Sequence, residues 1–290
     1  MSVVRSFGRT VTQRFGALED DFLRRGRPLG HSRVLWEIPA AGCLVRTLRD
    51  ALDLDAGYLS RILSSLRDEG FITLTPDRTD ARVRHVALTN AGRAERRHLD
   101  RMSDGFAAGI LEPLSARQAD DLVAAMRVVE RLLIAGSVVV SPTDPDDPDA
   151  VSCLRAYAEE LHERFDDGFD PVTSISAEPS ELRPRAGLLL VAHLHGRPVG
   201  CGALKFHGSE PVEIKRMWVA PAARGLGLGR RLLRELEAAA RQAGATVAHL
   251  ETNRALTEAI ALYRSAGYLE VPAFNDEPYA HHWFEKRLPA

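Results

Sequence analysis

A run of alternating glycines with arginines beside it is the segment whose residue types and spacing point most clearly to chemistry. The run is Arg224-Gly225-Leu226-Gly227-Leu228-Gly229, and the sequence after it predicts a helix. Backbone N–H groups at a helix N-terminus bind phosphate oxygens, helped by the helix dipole. Glycines keep that approach open, and Arg224, Arg230 and Arg231 add charged donors. The pattern therefore predicts a pyrophosphate-binding loop.

Two common phosphate loops do not fit this segment. A Walker A loop is excluded because no Gly-Lys-Ser or Gly-Lys-Thr ends the run. A dinucleotide-binding fingerprint fits poorly, because that motif follows a lone first strand. Here the loop follows three predicted strands in an antiparallel meander, at about residues 187–194, 199–206 and 212–219, with a hairpin turn at 195–198.

With this context, the segment resembles the acetyl-CoA motif of the GNAT superfamily. It follows a strand that ends in Trp218-Val219, and the next strand is predicted at 247–253. Ala259–Tyr268 is similar to the family's second hallmark, a helix and turn that end in a glycine-aromatic pair. Both hallmarks occur in order, so the resemblance covers about residues 137–290. It implies an α/β acyl-CoA N-acyltransferase fold and an N-acetyltransferase with acetyl-CoA as acetyl donor.

The resemblance also implies roles for individual residues. Backbone groups of Met217 and Val219 would pair with the pantetheine arm, and the N–H of Met217 would polarise the acetyl carbonyl. Asn253 lies where the family often contacts pantetheine. Tyr263 matches the residue that protonates the departing thiolate, with simple packing against the cofactor as the alternative. The implied cofactor-binding residues are Met217, Val219, Arg224, Gly225, Gly227, Leu228, Gly229, Arg230 and Asn253.

Acetyl transfer to an amine also needs a base, because only the neutral amine attacks a thioester. Glu213, Lys215 and Met217 project to one face of their strand, and some GNAT enzymes carry a catalytic glutamate at the position of Glu213. Glu213 is the first candidate. The alternative, weighted equally, is a structural carboxylate paired with Lys215 or Arg216.

The acetyl acceptor is predicted to bind where the family builds acceptor pockets, at residues 166–186 and 272–283. Alternation on a final strand would turn His281 or His282 inward as substrate-binding residues. Two adjacent histidines without further spaced ligands make a poor zinc site, so no metal is expected. The mixture of acidic, aromatic and histidine residues in these segments favours a small-molecule amine as acceptor.

The remaining elements of this half follow from capping and periodicity. Residues 137–141 predict a first strand, and Asp146 or Asp147 is placed to cap a helix from about Pro148 to Phe165. The helix after the glycine run is predicted to continue through Ala243. Its inward side chains are predicted to be Leu232, Leu233, Leu236 and Ala240.

The first half of the chain predicts helices interrupted by one hairpin. A short helix ends near Leu52, and Asp55 is placed to cap a second helix that runs to Glu69, with Gly70 after it. That second helix carries an apolar stripe of Leu59, Ile62, Leu63 and Leu66 and, opposite it, small and polar residues suited to a major-groove floor.

Directly after this helix come two alternating strands, 71–75 and 82–88, around a turn rich in charge. The phrases Asp77–Arg82 and Leu88–Gly92 resemble the wing signature of the MarR family. The likeness covers about residues 5–135 and implies a winged helix-turn-helix that binds a pseudo-palindromic double-stranded DNA operator as a homodimer built from its first and last helices. The residues expected to contact DNA are Tyr58, Ser60, Arg61, Ser64, Arg78, Arg82 and Arg84.

Charge and composition agree with this organisation without proving it. Residues 1–136 hold 21 Lys+Arg against 18 Asp+Glu, a net of +3, whereas the remainder holds 17 against 22, a net of −5. Only the first half leans toward a polyanion. A helix from about Leu114 to Ala135, ended by Gly136, separates the domains, which are predicted at 1–136 and 137–290.

The rest of the composition indicates a soluble, cytoplasmic protein. The three cysteines are few and far apart in the sequence, which predicts reduced thiols. No apolar run approaches the roughly 18 residues of a membrane span, and the N-terminus has no secretion signal.

The sequence therefore predicts a bifunctional protein, a MarR-type DNA-binding regulator fused to a GNAT N-acetyltransferase. Two alternatives stay open. One is a transcription factor whose GNAT half only senses acetyl-CoA or another ligand. The other is an enzyme whose helical half serves only for dimerisation.

Overall fold

The structure is a computed structural model. It describes residues 1–15, 22–24, 26–77, 80, 83–175, 177–208 and 211–289. The chain separates into two compact units, Met1–Met126 and Arg127–Ala290. This division falls inside a helix, so the boundary at residue 136 stays a prediction. Among the described residues, no helix is both long enough and apolar enough to span a bilayer.

The first unit is mostly helical, with one small sheet. In the part of this unit that the structure describes, five α-helices begin and end, and a sixth, α6 (Ala116–Gly136), crosses into the second unit. The predicted helix end at Gly136 is thus one residue early, because Gly136 is still helical. The five helices are α1 (Ser2–Arg14), α2 (Leu29–Glu37), α3 (Val45–Leu52), α4 (Ala56–Asp68) and α5 (Asn90–Leu111).

Helix α4 has the predicted cap and the predicted core face. The Asp55 side chain accepts a hydrogen bond from the N–H of Tyr58, and Gly70 follows with a positive φ of 78°. Leu59, Ile62, Leu63 and Leu66 are all buried. They pack with α2 and α3 side chains such as Leu35 and Leu48 in one apolar core. The helix-turn-helix inferred from capping and periodicity is confirmed.

The predicted hairpin follows α4 as a small antiparallel sheet. Strand β2 (Ile72–Pro76) pairs with β3 (Arg84–Leu88), and β3 pairs on its other side with β1 (Cys43–Leu44). The predicted DNA contacts Arg78 and Arg82 lie outside the described residues. Arg84 is exposed at the start of β3.

The second unit is built on a seven-stranded sheet whose spatial order is β4-β5-β6-β7-β8-β10-β9. Every neighbouring pair is antiparallel except β7 with β8. The predicted bounds of the meander are nearly correct, although its first turn is only His195-Gly196, both with positive φ. The strands are β4 (Val138–Pro142), β5 (Gly187–Leu194), β6 (Arg197–Lys205), β7 (Val212–Val219), β8 (Val247–Thr252), β9 (Leu269–Val271) and β10 (His282–Arg287).

Two helices cover this sheet, and alternating side chains assign them to different cores. Leu189 and Val191 of β5 pack with α7 (Pro148–Arg164), whereas Leu190 and Ala192 pack with α8 (Leu228–Gln242). Successive strand residues point to opposite faces, so the two helices lie on opposite sides. Asp147 caps α7, one of the two predicted caps. A short helix, α9 (Thr257–Ser265), follows β8.

The parallel pair of strands in this sheet, β7 with β8, is also the place where the sheet opens. Backbone pairing of β7 with β8 is limited to Val212 with Ala248 and Glu213 with His249. Beyond those residues the two strands part, whereas β8 remains paired with β10 along its length. The carboxyl end of β7, where the predicted cofactor residues begin, therefore borders a gap instead of a strand.

A β-bulge on β7 lies beside that gap. Cys201 of β6 pairs with Trp218 and Ala203 pairs with Lys215, so Arg216 and Met217 face the single residue Gly202. Arg216 has a positive φ of 55°, a conformation that favours glycine and costs about 1–2 kcal/mol for other residues. Such bulges re-aim side chains next to functional sites.

Candidate active site

The gap between β7 and β8 opens into a cleft of about 470 Å³. One side is the end of β7, another is the glycine-rich loop at the start of α8, and α7 and α9 complete it. Of the predicted cofactor-binding residues, all except Asn253 line this one cleft. They are Met217, Val219, Arg224, Gly225, Gly227, Leu228, Gly229 and Arg230.

The glycine loop has the backbone geometry that its sequence predicts. Gly225 and Gly227 have φ values of 81° and 76°, and a Cβ placed on either would meet nothing within 4 Å. Any side chain there would adopt a strained backbone and project into open space. Helix α8 starts directly after Gly227, and no side chain caps it. Its first amides therefore remain available for a ligand.

The arginines of the loop divide into two groups. Arg224 donates from Nε to the Val219 carbonyl at 3.1 Å and pairs with Glu160 through Nη2. Arg230 donates to Ser265 Oγ at 2.8 Å. Arg231 points away, to the Val138 carbonyl at 2.7 Å and to Glu235. Only the first two line the cleft.

Two tyrosines stand at the inner end of the cleft. Tyr263 of α9 is buried, and burial raises the pKa of its hydroxyl well above the ordinary value, helped by the neighbouring Tyr157 and Glu251. Burial also raises the pKa of Tyr157. Both phenols are therefore protonated at neutral pH. A protonated phenol can donate its proton to a thiolate.

Behind these tyrosines lies a second, smaller cavity of about 80 Å³. It shares Tyr157, Met217 and Tyr263 with the first cleft, so the two spaces adjoin there. Its further walls come from four separate parts of the chain. They include Phe165, Phe169, Ile175, Lys215, Arg216, Glu251, Asn253, Glu277, Tyr279 and Ala280.

Four consecutive residues of β7, Ile214 to Met217, line this second cavity. The bulge shifts the alternation among them, so Met217 packs with Ile214 in the core of α8, whereas Arg216 turns to the opposite face, toward Ala177. Arg216 donates from Nη2 to the Ala177 carbonyl at 2.8 Å. Its Nε is buried and has no hydrogen-bond partner among the described residues.

Lys215 lies between two carboxylates. Its Nζ pairs with Glu251 Oε1 and lies 3.2 Å from Glu213 Oε2. Burial alone would lower the pKa of Lys215, but the charges of Glu251 and Glu213 outweigh burial and raise its pKa. The ammonium is therefore charged and shared between the two carboxylates.

The two carboxylates on Lys215 differ in their own ionisation. Burial raises the pKa of Glu251, and Lys215 only partly offsets that effect. Burial would raise the pKa of Glu213 too, but Lys215 and His207 outweigh it, so its pKa is lowered. The Glu251 side chain is 9% exposed, and its Oε2 has no hydrogen-bond partner among the described residues. A carboxylate with one unpaired oxygen and a raised pKa is suited to accept a proton.

Glu277 adds a second carboxylate to the cavity wall. It is buried, and its Oε2 accepts from Ser174 Oγ at 2.9 Å and from the N–H of Ile175 at 2.7 Å. Nearby, the rings of Phe169 and Tyr279 lie 4.9 Å apart, and that of Phe165 lies 5.9 Å from each. The cavity thus combines paired charges with an aromatic wall.

Several predicted site residues lie outside the cavity for which they were expected. Glu213 lines neither cavity and pairs with Lys215 and His207. Asn253 lines the second cavity instead of the cleft. Its side-chain N–H donates to the Tyr279 carbonyl at 2.8 Å, and its side-chain oxygen accepts from the N–H of Ala255 at 2.9 Å. Asn253 therefore holds the segment before β10 against the end of β8.

The two histidines also have other surroundings. His281 is exposed, and its backbone N–H bonds to the Thr252 carbonyl. His282 Nδ1 lies 2.7 Å from Glu270 Oε1 on the outer strands. The inward positions belong to Tyr279 and Ala280, because β10 begins only at His282 and the chain before it turns into the cavity.

The site residues absent from the prediction are Arg216, Glu251 and Glu277 together with Tyr157. Glu277 and Tyr279 fall within the predicted acceptor segments, which is the signal that could have selected them. Glu251 could have been found from the alternation of residues along β8, where its neighbours are buried. No sequence pattern could have selected Arg216, because alternation along a regular strand places it on the opposite face from Lys215.

In the first unit, three of the five predicted DNA-contacting residues that the structure describes line one cavity of about 340 Å³. Tyr58, Ser60 and Arg61 are exposed on α4, and the Arg61 guanidinium lies 5.9 Å from the Tyr58 ring centre. Ser60, Ser64 and Arg84 line the cavity. Three further arginines line it, namely Arg46, Arg49 and Arg67. The surface between α4 and the hairpin is therefore rich in cations.

Comparison with known proteins assigns a family to each region. Residues 151–268 match the model of the acetyltransferase (GNAT) family, and residues 25–83 match that of the MarR family. The first match contains the cleft, the tyrosines and Glu251. The second contains α4 and strand β2 and ends just before β3.

Three similar proteins illustrate these matches. An IAA acetyltransferase of Azospirillum brasilense is 44% identical over 91 residues, which are 31% of this chain and 58% of that protein. An uncharacterised N-acetyltransferase of Schizosaccharomyces pombe is 33% identical over 51% of this chain and 87% of its own length. A solved structure of a candidate acyl-CoA N-acyltransferase from Klebsiella pneumoniae is 30% identical, covering 52% of this chain and 97% of its own, with a TM-score of 0.44.

Proposed function

The chain belongs to the GNAT family of N-acetyltransferases and carries a MarR-family segment ahead of that region, and on that basis we propose that it transfers an acetyl group from acetyl-CoA to a small-molecule amine. The observation that carries this proposal is the meeting of two cavities at Met217 and Tyr263. One suits a phosphate-bearing donor, and the other suits a charged acceptor.

The residues of the cleft fit an acyl-CoA. The open, positive-φ positions of Gly225 and Gly227 and the uncapped start of α8 suit a pyrophosphate. Arg224 and Arg230 supply neighbouring positive charge. The end of β7 offers backbone groups to the pantetheine arm because β8 has parted from it. Acetyl-CoA, when bound, supplies an acetyl group activated as a thioester.

We assign proton removal from the acceptor ammonium to Glu251. Glu251 lines the acceptor cavity, and its buried Oε2 has no hydrogen-bond partner among the described residues. The raised pKa of Glu251 lies closer to neutrality than that of an ordinary carboxylate. Glu213 remains the alternative base suggested by the sequence.

We assign proton donation to the leaving thiolate to Tyr263. Its hydroxyl is buried and protonated, and it borders both cavities, so it lies between donor and acceptor. Tyr157 occupies a similar position on α7 and is the natural control. The N–H of Met217, at the bulge, is the group that would polarise the acetyl carbonyl.

An acetyl-CoA sensor is the main rival. A sensor needs only the cleft that binds acetyl-CoA. It does not need a second cavity beside the cleft, lined by a carboxylate, that of Glu251, with an oxygen that has no hydrogen-bond partner among the described residues. Thiol release from acetyl-CoA in the presence of a broad amine library tests the difference. Enzymatic transfer predicts amine-dependent release. Saturable acetyl-CoA binding without release with any amine would support the sensor.

We further propose that the first unit binds double-stranded DNA as a homodimer, with α4 in the major groove. The exposed polar face of α4 and the arginines beside it support this proposal. Apolar side chains exposed on α1 and α6, including Phe7, Leu132 and Leu133, support a dimer through those helices.

The test is selection of duplexes from a random-sequence library, followed by anisotropy titration over a range of salt concentrations. We expect salt-dependent binding that weakens on Arg61→Ala and Arg84→Ala, since each loses a contact to DNA. Arg117→Ala, an exposed α6 residue 94% accessible, is the control. Absence of binding by the intact protein would support a helical half that serves only for dimerisation.

A further inference from the structure

We infer that the acetyl acceptor is an amino acid, that is, a primary amine with a carboxylate on the adjoining carbon, and that Arg216 is its carboxylate-binding residue. The inference rests on the proposed acetyl transfer and specifies its acceptor. Four features of the second cavity carry it: the pose of Arg216, the balance of charge, the free oxygen of Glu251 and the aromatic wall.

The pose of Arg216 is costly and is directed at the cavity. The β-bulge and a positive φ of 55° turn its side chain to the face of the sheet that carries Ala177, which a regular strand would not let it reach, and Arg216 lines the cavity there. Strained backbone of this kind persists where surrounding structure enforces it, commonly at ligand sites. The strain supports a ligand-binding role for this guanidinium.

The guanidinium also lacks an anion. It donates one hydrogen bond to the Ala177 carbonyl, its Nε is buried and unpartnered, and in the part of the chain that the structure describes no carboxylate forms an ion pair with it. Arginine offers five donors, and its fork matches a carboxylate. An acceptor carboxylate would satisfy donors that are otherwise left without a partner.

The charge of the cavity wall points to a zwitterion. Its charged side chains are two cations, Lys215 and Arg216, and two carboxylates, Glu251 and Glu277. Lys215 is already shared between Glu213 and Glu251. Arg216 forms no ion pair among the described residues, and Glu251 Oε2 accepts no hydrogen bond from them, so an anion would satisfy the first and an ammonium the second. A polyamine would leave Arg216 unpaired and bring further positive charge toward it.

The remaining wall selects the acceptor's side chain. Phe165, Phe169, Tyr279 and Ile175 line the same cavity, and the three rings contact one another. An apolar or aromatic side chain would bury its surface there at a favourable free energy. We therefore expect apolar amino acids to be better acceptors than acidic or basic ones.

Matched acceptors test the inference. L-phenylalanine is compared with 2-phenylethylamine and L-phenylalaninamide, and L-leucine with isopentylamine, by thiol release from acetyl-CoA. The amide is informative because its amine is less basic, so its intrinsic reactivity at neutral pH favours it over the free acid. We expect the carboxylated acceptors to have kcat/KM about tenfold to a hundredfold higher, the range of a charged hydrogen-bonded pair.

The variant Arg216→Met keeps the length of the side chain and removes its charge. We expect it to lose that preference, with kcat/KM falling about tenfold or more for L-phenylalanine and little for 2-phenylethylamine. Arg216→Lys should recover part of the loss. Arg155→Met, an exposed α7 substitution 72% accessible, should change neither value. Unchanged acetyl-CoA binding by calorimetry shows that the variants remain folded.

The outcomes separate this inference from the proposed function. Equal turnover of carboxylated and uncarboxylated amines, or a uniform loss in Arg216→Met, overturns the acceptor assignment while acetyl transfer stands. Turnover only of protein lysines also overturns it. No thiol release with any amine removes the proposed enzymatic function itself.

Discussion

The cofactor cleft and the acceptor cavity meet at Met217 and Tyr263, yet they are built in opposite ways. The cleft depends on backbone: a run of glycines, the first amides of α8 and an unpaired strand end, nearly all within residues 217–230. The acceptor cavity depends on side chains drawn from α7, β7, β8 and the segment before β10.

The difference shows how one fold can retain the same acetyl donor while its specificity for the amine acceptor changes. Backbone geometry tolerates substitution at most positions other than the glycines, so the donor site is robust. The acceptor site depends on the chemistry of side chains such as Arg216 and Glu251, so single substitutions there change which acceptor the site can hold. Variants on each side of Met217 should therefore separate donor binding from acceptor chemistry.

The largest expected effect on chemistry alone is at Glu251. Glu251→Gln should lower kcat about a hundredfold to ten-thousandfold, the usual contribution of a general base, and leave acetyl-CoA binding unchanged. Because burial raises the pKa of Glu251, the wild-type rate should fall as pH drops through that raised pKa, and the variant should lose this limb of the pH profile. Steady-state kinetics across pH measures both.

Glu213→Gln is the matched control for Glu251, because both carboxylates contact Lys215. We expect a smaller loss, since Glu213 lines neither cavity. A larger loss of kcat in Glu213→Gln than in Glu251→Gln, together with loss of the decrease in rate at low pH, would identify Glu213 as the base. The base would then lie outside the acceptor cavity.

The next effect is at Tyr263, where the two cavities join. Tyr263→Phe removes only the hydroxyl and should lower kcat on the order of a hundredfold, with little change in acetyl-CoA affinity. Tyr157→Phe, at the other buried phenol of the junction, should have a smaller effect. Similar kcat values for Tyr263→Phe and wild type would show that the hydroxyl does not donate a proton and that Tyr263 only packs against the cofactor.

The smallest effect is in the outer wall of the cleft, where Arg164 of α7 pairs with Glu258 of α9. The hydrogen bond from Arg164 lowers the pKa of Glu258 to about 2. A carboxylate whose pKa is lower in the folded protein than in the unfolded chain stabilises the folded state at any pH above the unfolded-state pKa. That stabilisation is lost as the pH falls from the unfolded-state pKa to the folded-state pKa.

Because more than half of the Glu258 side chain is exposed, solvent screening limits its contribution to about 0.2–1 kcal/mol. Glu258→Gln should lower the free energy of urea unfolding by that amount at neutral pH, and the difference from wild type should shrink on acidification. Glu159→Gln, in the exposed pair with Arg155, is the control with a still smaller effect. A difference that grows in acid would contradict the assigned pKa shift.

The same contrast explains how much the sequence predicts. The glycine run, the strand before it and the helix after it are local, so the phosphate loop follows from spacing and periodicity, whereas Met217 and Val219 follow from the family resemblance. The helix-turn-helix follows for the same reason, with Asp55 and the buried stripe of α4 as predicted.

The acceptor cavity depends on features that local patterns do not contain. The bulge at Arg216 reverses the face that alternation predicts. Alternation places Glu213 on the face of Met217, but that prediction is wrong, because the bulge turns Met217 to the opposite face, where it packs with Ile214. Alternation also does not show that β7 and β8 part beyond Glu213, which lines neither cavity. A start of β10 at His282 moves the inward positions from the histidines to Tyr279 and Ala280.

The central claim is that the amides after Val219 hold the diphosphate of an acyl-CoA, and calorimetric titration of the full chain with acetyl-CoA tests it most directly. We expect saturable binding by the wild type that is lost in Gly227→Val. Gly244→Val should keep that binding, because it has a similarly positive φ, 91°, at the far end of α8. No heat from the wild type, or unchanged binding by Gly227→Val, would contradict the claim.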